Sequence, residues 1–338
     1  MVIALLLAGA PAAWGQGLAD LWNGRAKWEL AAERVGGDFT LHCLSILPQD
    51  GTLLGYYIAN YTTSDGRWRM GVGRARSDDG ISWTDEGRLL SVGATGAWDD
   101  RVASFPGIWK DGDTWYLVYE GAADDIGSSP GDIGLATSAD GRNFTKHPGN
   151  PILKHEKTGW ERVNIGTPSL YKEKGTWYLF YHGYDGTLCH IGVASGTDLT
   201  KLTKSAANPI IPAGAERGAW DAGATGKRSA IVKEGELYYL AFEGRTPLPD
   251  STARWSTGLA RSRTLTSGWS KCPLNPVIPV TPGGFGNDAP ELLRHRDAWL
   301  LYVRSPGANA TDVFKLAMKP KAPPAPRAAA GSAPAPQD

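Results

Sequence analysis

The chain has 338 residues, of which 41% are hydrophobic, and its 35 basic and 35 acidic residues cancel to a formal net charge of zero. This length fits either two average domains or one large β-barrel or propeller. No block of like charge stands out, so the sequence offers no electrostatic footprint for a nucleic acid or an anionic membrane. The 14 Trp and 12 Tyr outnumber the 7 Phe, a bias toward amphipathic rings that suits carbohydrate binding.

Both ends of the chain differ in composition from the middle. Residues 1–16 read MVIALLLAGAPAAWGQ, an apolar run followed by small residues, which predicts a signal peptide and a periplasmic or extracellular protein. The apolar run is too short to span a bilayer. Residues 320–338 are rich in Pro and Ala without periodicity and predict a disordered tail. The folded region is therefore expected to cover residues 21–319.

A repeat occupies the region between these ends. WDDRVASFPGIWKDGDTWYLVYEG (residues 98–121) is followed by WERVNIGTPSLYKEKGTWYLFYHG (residues 160–183), and related segments begin at residues 37, 220 and 285. Each copy ends on a small residue, and the residue before it defines a column at spacings of 62, 62, 61 and 61 residues: Ile58, Glu120, His182, Glu243, Arg304. A constant register over five copies indicates a repeat architecture.

Every copy has the same internal order. A short apolar stretch runs into a polar turn such as KDGD and then into a β-rich run such as TWYLVY, which is typical of a hairpin. A third stretch such as IGLATSADG and an apolar stub such as NPIL follow. Four short strands in each of five copies predict an all-β fold, a five-bladed β-propeller. The fifth copy has no fourth strand after DVFKLAMK, and KWEL, which begins at Lys27, is expected to supply it and close the ring.

Candidate functional residues stand where the copies differ. In a propeller, the residues before each inner strand and those at the end of each second strand share one rim, and function resides in what is added to the scaffold there. The second strands end on Glu120, His182, Glu243 and Arg304, with Arg245 close by. Packing alone does not require such different polar groups at equivalent places.

The starts of the inner strands supply a second group. Asp38 and Asp100 occupy equivalent positions in the first two copies, and Arg101 follows Asp100. A different set of acids directly follows the repeated Trp in three copies, and its recurrence indicates a structural role: Asp99, Glu161, Asp221.

The fifth copy replaces small inner-strand residues by acids. Asp288 stands two residues before Pro290, and Glu291 follows that proline where other copies carry Ser or Gly. A charge in a crowded inner strand needs a partner. The sequence offers a sugar hydroxyl or a neighbouring cation such as Arg228.

With the five-fold repeat, the DG hairpins and the NPIL stubs, the chain resembles the five-bladed propeller glycosidases grouped around glycoside hydrolase families 43, 32, 62 and 117. In family 43 an Asp base, an orienting Asp and a Glu acid project into the central funnel, and the enzymes invert the anomeric centre. This chain lacks the Asp-Pro and Glu-x-Pro motifs of family 43 and the WMNDPNG and RDP signatures of family 32. The resemblance therefore implies an orphan branch with a rearranged site.

The resemblance implies a secreted, exo-acting, inverting glycoside hydrolase. General acid and base catalysis would assign Asp38 as the base, Asp100 as its orienting neighbour, and Glu243 or Glu120 as the acid. Substrate hydroxyls or carboxylates would be held by the remaining polar candidates: Arg101, His182, Arg228, Arg245, Asp288, Glu291, Arg304.

Two other functions remain open at this point. The missing motifs also fit a carbohydrate-binding propeller that has lost its catalytic acids. A mannoside phosphorylase, as in the related family 130, would need a phosphate pocket of several cations.

No cofactor is legible in the sequence. The three cysteines are too few and too scattered for a disulfide framework or a zinc site, and we expect three buried thiols: Cys43, Cys189, Cys272. The resemblance allows a calcium ion in the channel, but none is required.

Overall fold

The computed structural model describes residues 17–36, 39, 41–124, 131–216, 218–247, 254–280, 286–304 and 310–320. This part of the chain is built almost entirely of β-strands, with one short helix, α1 (Leu18–Trp22), and one 3-10 turn, Gly159–Glu161. No helix among these residues has the length and apolar character needed to cross a bilayer.

The strands form four-stranded antiparallel groups, which we call blades 1 to 5. The first strand, β1 (Ala26–Val35), belongs to blade 5. Blade 1 contains β2 (Ser45–Gln49), β3 (Thr52–Thr62), β4 (Trp68–Ser77) and β5 (Thr84–Leu90). Blade 2 contains β6 (Val102–Asp111), β7 (Thr114–Ala122), β8 (Gly131–Ser138) and β9 (Thr145–Lys146). Blade 3 contains β10 (Asn164–Glu173), β11 (Thr176–Tyr184), β12 (Cys189–Gly196) and β13 (Thr203–Lys204).

In blade 4 the inner strand is split into β14 (Ala224–Arg228) and β15 (Val232–Glu234), and both pair with β16 (Leu237–Thr246). The blade continues with β17 (Arg254–Ser262) and β18 (Ser270–Lys271). Blade 5 contains β19 (Asp288–His295), β20 (Ala298–Arg304) and β21 (Thr311–Met318), and β1 pairs antiparallel with β21. The prediction that KWEL completes the last blade is confirmed.

The blades are arranged in a ring. The inner strands contact each other in the order β2, β6, β10, β14 and β19, and β19 contacts β2. Between neighbouring blades lie apolar clusters, such as the one in which Tyr56 and Val72 of blade 1 pack with Leu117 and Tyr119 of blade 2. The predicted all-β propeller with four-stranded blades is confirmed.

The hairpin turns opposite the candidate rim explain the repeated DG pattern. The turns between first and second strands place Gly51, Gly112, Gly175 and Gly235 at positive φ, from 57° to 85°. Glycine adopts this region without a steric penalty. Blade 5 has Arg296 (φ 52°) at its turn instead.

The acids that follow the repeated Trp are structural. Asp99, Glu161 and Asp221 are buried, and each pairs with a lysine on the fourth strand of its own blade. Asp99 Oδ2 lies 2.6 Å from Lys146 Nζ, and Glu161 Oε1 lies 2.5 Å from Lys204 Nζ. The repeated pair ties the start of a blade to its outer edge, which agrees with the structural role expected for these acids.

The three thiols are free, as expected. Cys43 and Cys272 are buried, but the expectation of burial is wrong for Cys189, which is partly exposed. Cys189 begins β12 at the rim.

Candidate functional site

The inner strands are irregular at the same level in several blades. Pairing between first and second strands shifts register after Ser104 in β6, after Gly166 in β10 and after Asp288 in β19. At equivalent positions four non-glycine residues adopt left-handed backbone conformations with φ between 42° and 53°: Cys43, Phe105, Thr167, Ala289. Such residues cost free energy and cluster at functional sites. We call the inner strands and second-strand ends at this level the funnel wall.

The irregularity frees backbone N–H groups for the glutamates of the neighbouring blade. The Thr167 N–H of blade 3 donates to Glu120 Oε2 of blade 2 at 2.9 Å. The Ala289 N–H of blade 5 donates to Glu243 Oε2 of blade 4 at 2.8 Å. Two of the predicted acids therefore also join adjacent blades.

Glu120 is almost fully buried, with 1% of its surface exposed. Burial raises the pKa of Glu120 to about 7, although the Thr167 N–H and the charge of Arg228 act in the opposite direction. A Cβ atom at Gly166 would overlap the Glu120 carboxylate. The glycine at this position therefore makes the space that Glu120 occupies.

Glu243 is partly exposed, and its carboxyl group lies inside the wall of the funnel. Its Oε1 accepts from the Lys227 N–H at 2.8 Å, in addition to the bond from Ala289. Burial raises the pKa of Glu243 to about 7, and the negative charge of Asp288 adds to this rise. Among the glutamates of the funnel wall whose pKa rises to about 7, Glu243 is the one with an anionic neighbour that raises it.

Asp288 forms an ion pair with Arg304. Arg304 Nε donates to Asp288 Oδ1 at 2.6 Å, and Nη2 donates to Oδ2, so the pair is bidentate. Burial raises the pKa of Asp288, and the charge and hydrogen bonds of Arg304 oppose that rise. Asp288 begins the inner strand of blade 5 and Arg304 ends its second strand, so the two residues lie opposite each other in the strand register.

Glu291 is also buried, with 1% exposed. Its carboxylate accepts from the Ile46 N–H at 2.9 Å and from the Ala230 N–H at 3.1 Å. Burial raises its pKa to about 7, and the charges of Lys227 and Arg228 lower it. The direct partners of Glu291 are thus backbone amides of the two adjacent blades, with the predicted cation Arg228 acting through its charge.

Arg228 is the buried cation at the centre of this group, with 1% of its surface exposed. Its Nη1 donates to Thr167 Oγ1 at 3.2 Å, and Nη2 donates to the carbonyl oxygens of Phe180 (2.6 Å) and Thr167. Burial lowers the pKa of Arg228, and the charges of Glu243, Glu120 and Glu291 oppose the change.

His182 is fixed within the wall. Its Nδ1 lies 2.9 Å from Thr167 Oγ1, and its Nε2 lies 3.2 Å from Asn164 Oδ1. Since the amide oxygen accepts, Nε2 carries the proton and Nδ1 accepts from the threonine hydroxyl. Burial lowers the pKa of His182 to about 3, in agreement with this neutral tautomer. His182 positions Thr167, and a direct bond to substrate would need one of these contacts to break.

The other predicted residues lie on the rim. Asp100 Oδ2 accepts from the Gly96 N–H at 2.8 Å, and its Oδ1 is buried without a hydrogen-bond partner among the described residues. The guanidinium of Arg101 lies 5.5 Å from the centre of the Trp68 ring, and that of Arg245 lies 5.6 Å from the Trp255 ring. Asp38, the predicted base, lies outside the described residues.

Sequence reasoning missed two residues of the wall. Lys227 is buried and donates from Nζ to the Leu44 carbonyl of blade 1 at 2.9 Å. Lys227 stands where other inner strands carry the small residues Ser104 and Gly166. A charge in place of a small residue is the same signal that singled out Glu291, and it was present in the sequence for Lys227 as well. His42 precedes the irregular position of blade 1, and burial lowers its pKa to about 3 with help from the charges of Arg304 and Lys227. It lies in the faintest copy of the repeat, which left no signal.

Within the described ranges, no group of three or more His, Cys, Asp or Glu side chains is placed to hold a metal ion.

Comparison with solved structures places this fold among known ones. BT0996, in a structure described as a complex with RGII, has a TM-score of 0.68 and 19% identity, and the match covers 92% of this protein and 97% of BT0996. A thermostable family-43 glycoside hydrolase has a TM-score of 0.62 and 17% identity, covering 86% of this protein and 96% of the hydrolase. Zg3597, a family 117 glycoside hydrolase of the marine bacterium Zobellia galactanivorans, has a TM-score of 0.64 and 13% identity, covering 86% and 90%.

No protein-family model and no curated protein matches the sequence. At identities below 20% the structural matches establish the fold: this chain has the propeller fold of glycoside hydrolases of families 43 and 117. The resemblance stated from the sequence is confirmed at that level. The activity rests on the chemistry of the funnel wall.

Proposed function

We propose that the protein is a glycoside hydrolase that cleaves a glycosidic bond in the central funnel, with Glu243 as the general acid. The carrying observation is the environment of Glu243, a partly exposed residue whose carboxyl pKa rises to about 7 through burial and the adjacent charge of Asp288. A general acid works best when its pKa lies near the working pH.

The charges of the wall support this assignment. Four carboxyl groups (Glu120, Glu243, Asp288, Glu291) stand with three cations (Lys227, Arg228, Arg304). An unbalanced buried charge is expensive, so one carboxyl of this set holds a proton when the charges balance. Glu243 is the one with an anion beside it, and it is less buried than Glu120 and Glu291.

The residues around Glu243 then have distinct roles. The hydrogen bonds and charge of Arg304 favour the ionised form of Asp288. Burial and the charge of Asp288 then favour the protonated form of Glu243 up to about neutral pH. The Lys227 and Ala289 N–H groups fix the orientation of the Glu243 carboxyl. Hydrolysis also needs an ionised carboxylate that activates water on the opposite face of the sugar. We assign this base to Asp38 and its orientation to Asp100, which makes the enzyme inverting.

The site at the end of a funnel also favours exo action, because a chain end enters such a site more easily than the middle of a chain. The apolar run in residues 1–16 supports a periplasmic or extracellular location.

Leaving-group dependence tests the assignment. The wild type is screened with glycans named for structural neighbours: RGII, 1,5-linked α-L-arabino-oligosaccharides and β-1,2-manno-oligosaccharides. For a glycan that is cleaved, Glu243→Gln is expected to lower kcat about 10²–10⁴-fold. The same variant should retain most activity on the matching 2,4-dinitrophenyl glycoside, whose leaving group needs no protonation. Asp38→Asn should lose activity on both substrates.

Glu173→Gln is the control, because this residue lies on the opposite face and pairs with Lys233. Equal losses of Glu243→Gln on both kinds of substrate would contradict an acid role. If the wild type binds glycans of a broad panel but cleaves none, the hydrolase proposal is wrong and the protein is a carbohydrate-binding propeller.

A further inference from the structure

Trp68 stands apart from the other aromatic side chains of the protein. It is 40% exposed, and it is the one aromatic residue among the exposed large hydrophobic side chains of the described ranges. Single exposed apolar residues are common on protein surfaces. The position of Trp68 gives this one a specific meaning.

Trp68 lies on the rim of the funnel. It is the first residue of β4, opposite Thr62 at the end of β3, and β4 runs from the rim toward the other face. Side chains two residues apart on a strand share a face, so Trp68 points to the same side as Met70. Met70 pairs with Val102 of blade 2 and packs in the apolar cluster between these blades. Trp68 therefore projects above that cluster, toward blade 2.

One part of the ring is already used. The guanidinium of Arg101, at the start of blade 2, lies 5.5 Å from the ring centre, which fits a cation–π contact. The contact fixes the indole against the rim while 40% of the residue stays in solvent. A similar contact within blade 4, between Arg245 and Trp255, is more covered, because Gly286 packs against Trp255.

The depth of the funnel decides which part of a substrate Trp68 can reach. Met70 is level with Val102, and Glu120 is level with Ser104, two residues further into the funnel. Glu243, the proposed acid, occupies the same column of the repeat as Glu120. Trp68 thus lies about four residues above this level, or roughly 13 Å at about 3.3 Å per residue. This distance exceeds the size of one sugar ring. A ring on Trp68 is therefore a different one from the ring whose bond is cleaved.

We propose that Trp68, held by Arg101, is a stacking platform for an outer sugar on the leaving-group side of the substrate. The inference rests on the proposed function for the direction of the chain: the terminal sugar occupies the funnel, and the following rings extend over the rim. The apolar C–H face of a sugar ring would pack on the indole. The protein would therefore prefer oligosaccharides to single-sugar substrates.

The test compares chain lengths. For a glycan cleaved in the panel above, Trp68→Ala should raise KM about tenfold for the trimer and longer oligomers, as expected from one lost ring contact. The same change should leave kcat and kcat/KM on the single-sugar 2,4-dinitrophenyl glycoside unaltered, and Trp68→Tyr should restore most of the affinity. Ile81→Ala is the matched control, since Ile81 is 42% exposed on the opposite face.

Binding is measured separately by calorimetric titration of the same oligomers, so that the proposal stays testable if no glycan is cleaved. A tenfold weaker association constant for Trp68→Ala, with no change for Ile81→Ala, supports the platform even then. The proposal is wrong if Trp68→Ala lowers only the melting temperature and leaves affinity unchanged. It is also wrong if the loss is equal for single-sugar and longer ligands, or if no oligosaccharide of the panel binds.

Discussion

The buried glutamates of the funnel wall link the pH to the stability of the fold, and Glu120→Gln isolates this effect. Burial raises the pKa of Glu120 from 4.5 to about 7. A carboxyl with a raised pKa in the folded state binds its proton more tightly there than in the unfolded chain. Its stabilising contribution is complete below about pH 4.5 and is lost as the pH rises through about 7.

The size of the loss follows from the same values. Each pH unit between the two pKa values corresponds to about 1.4 kcal/mol. The ionisation of Glu120 therefore lowers the free energy of unfolding by about 3 kcal/mol above pH 7. Glutamine keeps the shape and an oxygen that accepts the Thr167 N–H, but it does not ionise. Relative to the wild type, we expect the free energy of unfolding of Glu120→Gln to rise by about 3 kcal/mol between pH 4.5 and pH 8. This rise corresponds to a difference in Tm on the order of 5 °C.

Urea unfolding at pH 4.5, 6, 7 and 8 measures the difference. Glu173→Gln is the control with the opposite sign, because hydrogen bonds from Lys233 and Tyr238 lower the pKa of Glu173. The free energy of unfolding of that variant should not rise relative to the wild type as the pH rises. If the curves of Glu120→Gln and wild type stay parallel from pH 4.5 to 8, Glu120 is ionised throughout and the reasoning from burial is wrong.

Two further substitutions probe the same wall. Gly166→Ala should destabilise the protein by about 1–3 kcal/mol in urea unfolding, because the added Cβ overlaps the Glu120 carboxylate. Gly131→Ala is the control, because a Cβ at that position makes ordinary contacts. Equal losses for the two variants would show that Gly166 is not needed to make space for Glu120. Arg228→Met should lower the free energy of unfolding by about 3–5 kcal/mol, since it leaves buried carboxylates and carbonyls without their cation. Arg263 is exposed, and Arg263→Met should lower it by less than about 0.5 kcal/mol. Similar values for the two variants would contradict a central role of Arg228.

The sequence by itself determined the scaffold. A spacing of 62 or 61 residues between copies, with the same hairpin pattern in each, specifies strands, turns and their order, because these depend on local alternation and turn residues. The sequence also distinguished Asp99 from Glu120 and Glu243. An acid recurs at the position of Asp99 in three copies, and Asp99 pairs within its own blade. Glu120 and Glu243 occupy a position at which the residue type changes from copy to copy. The expected position of β1 followed from the strand that blade 5 lacked.

The tertiary structure decided which atoms meet. Glu120 accepts from an amide 47 residues away, and Glu291 from an amide 245 residues away, across blade boundaries. No local pattern carries such contacts, because they depend on closure of the ring and on the irregular inner strands that turn an N–H toward the next blade. The pairing of Asp288 with Arg304, which makes Glu243 the proposed acid, arises in the same way: strands within a blade fix the pair, and packing of two blades brings its charge beside Glu243.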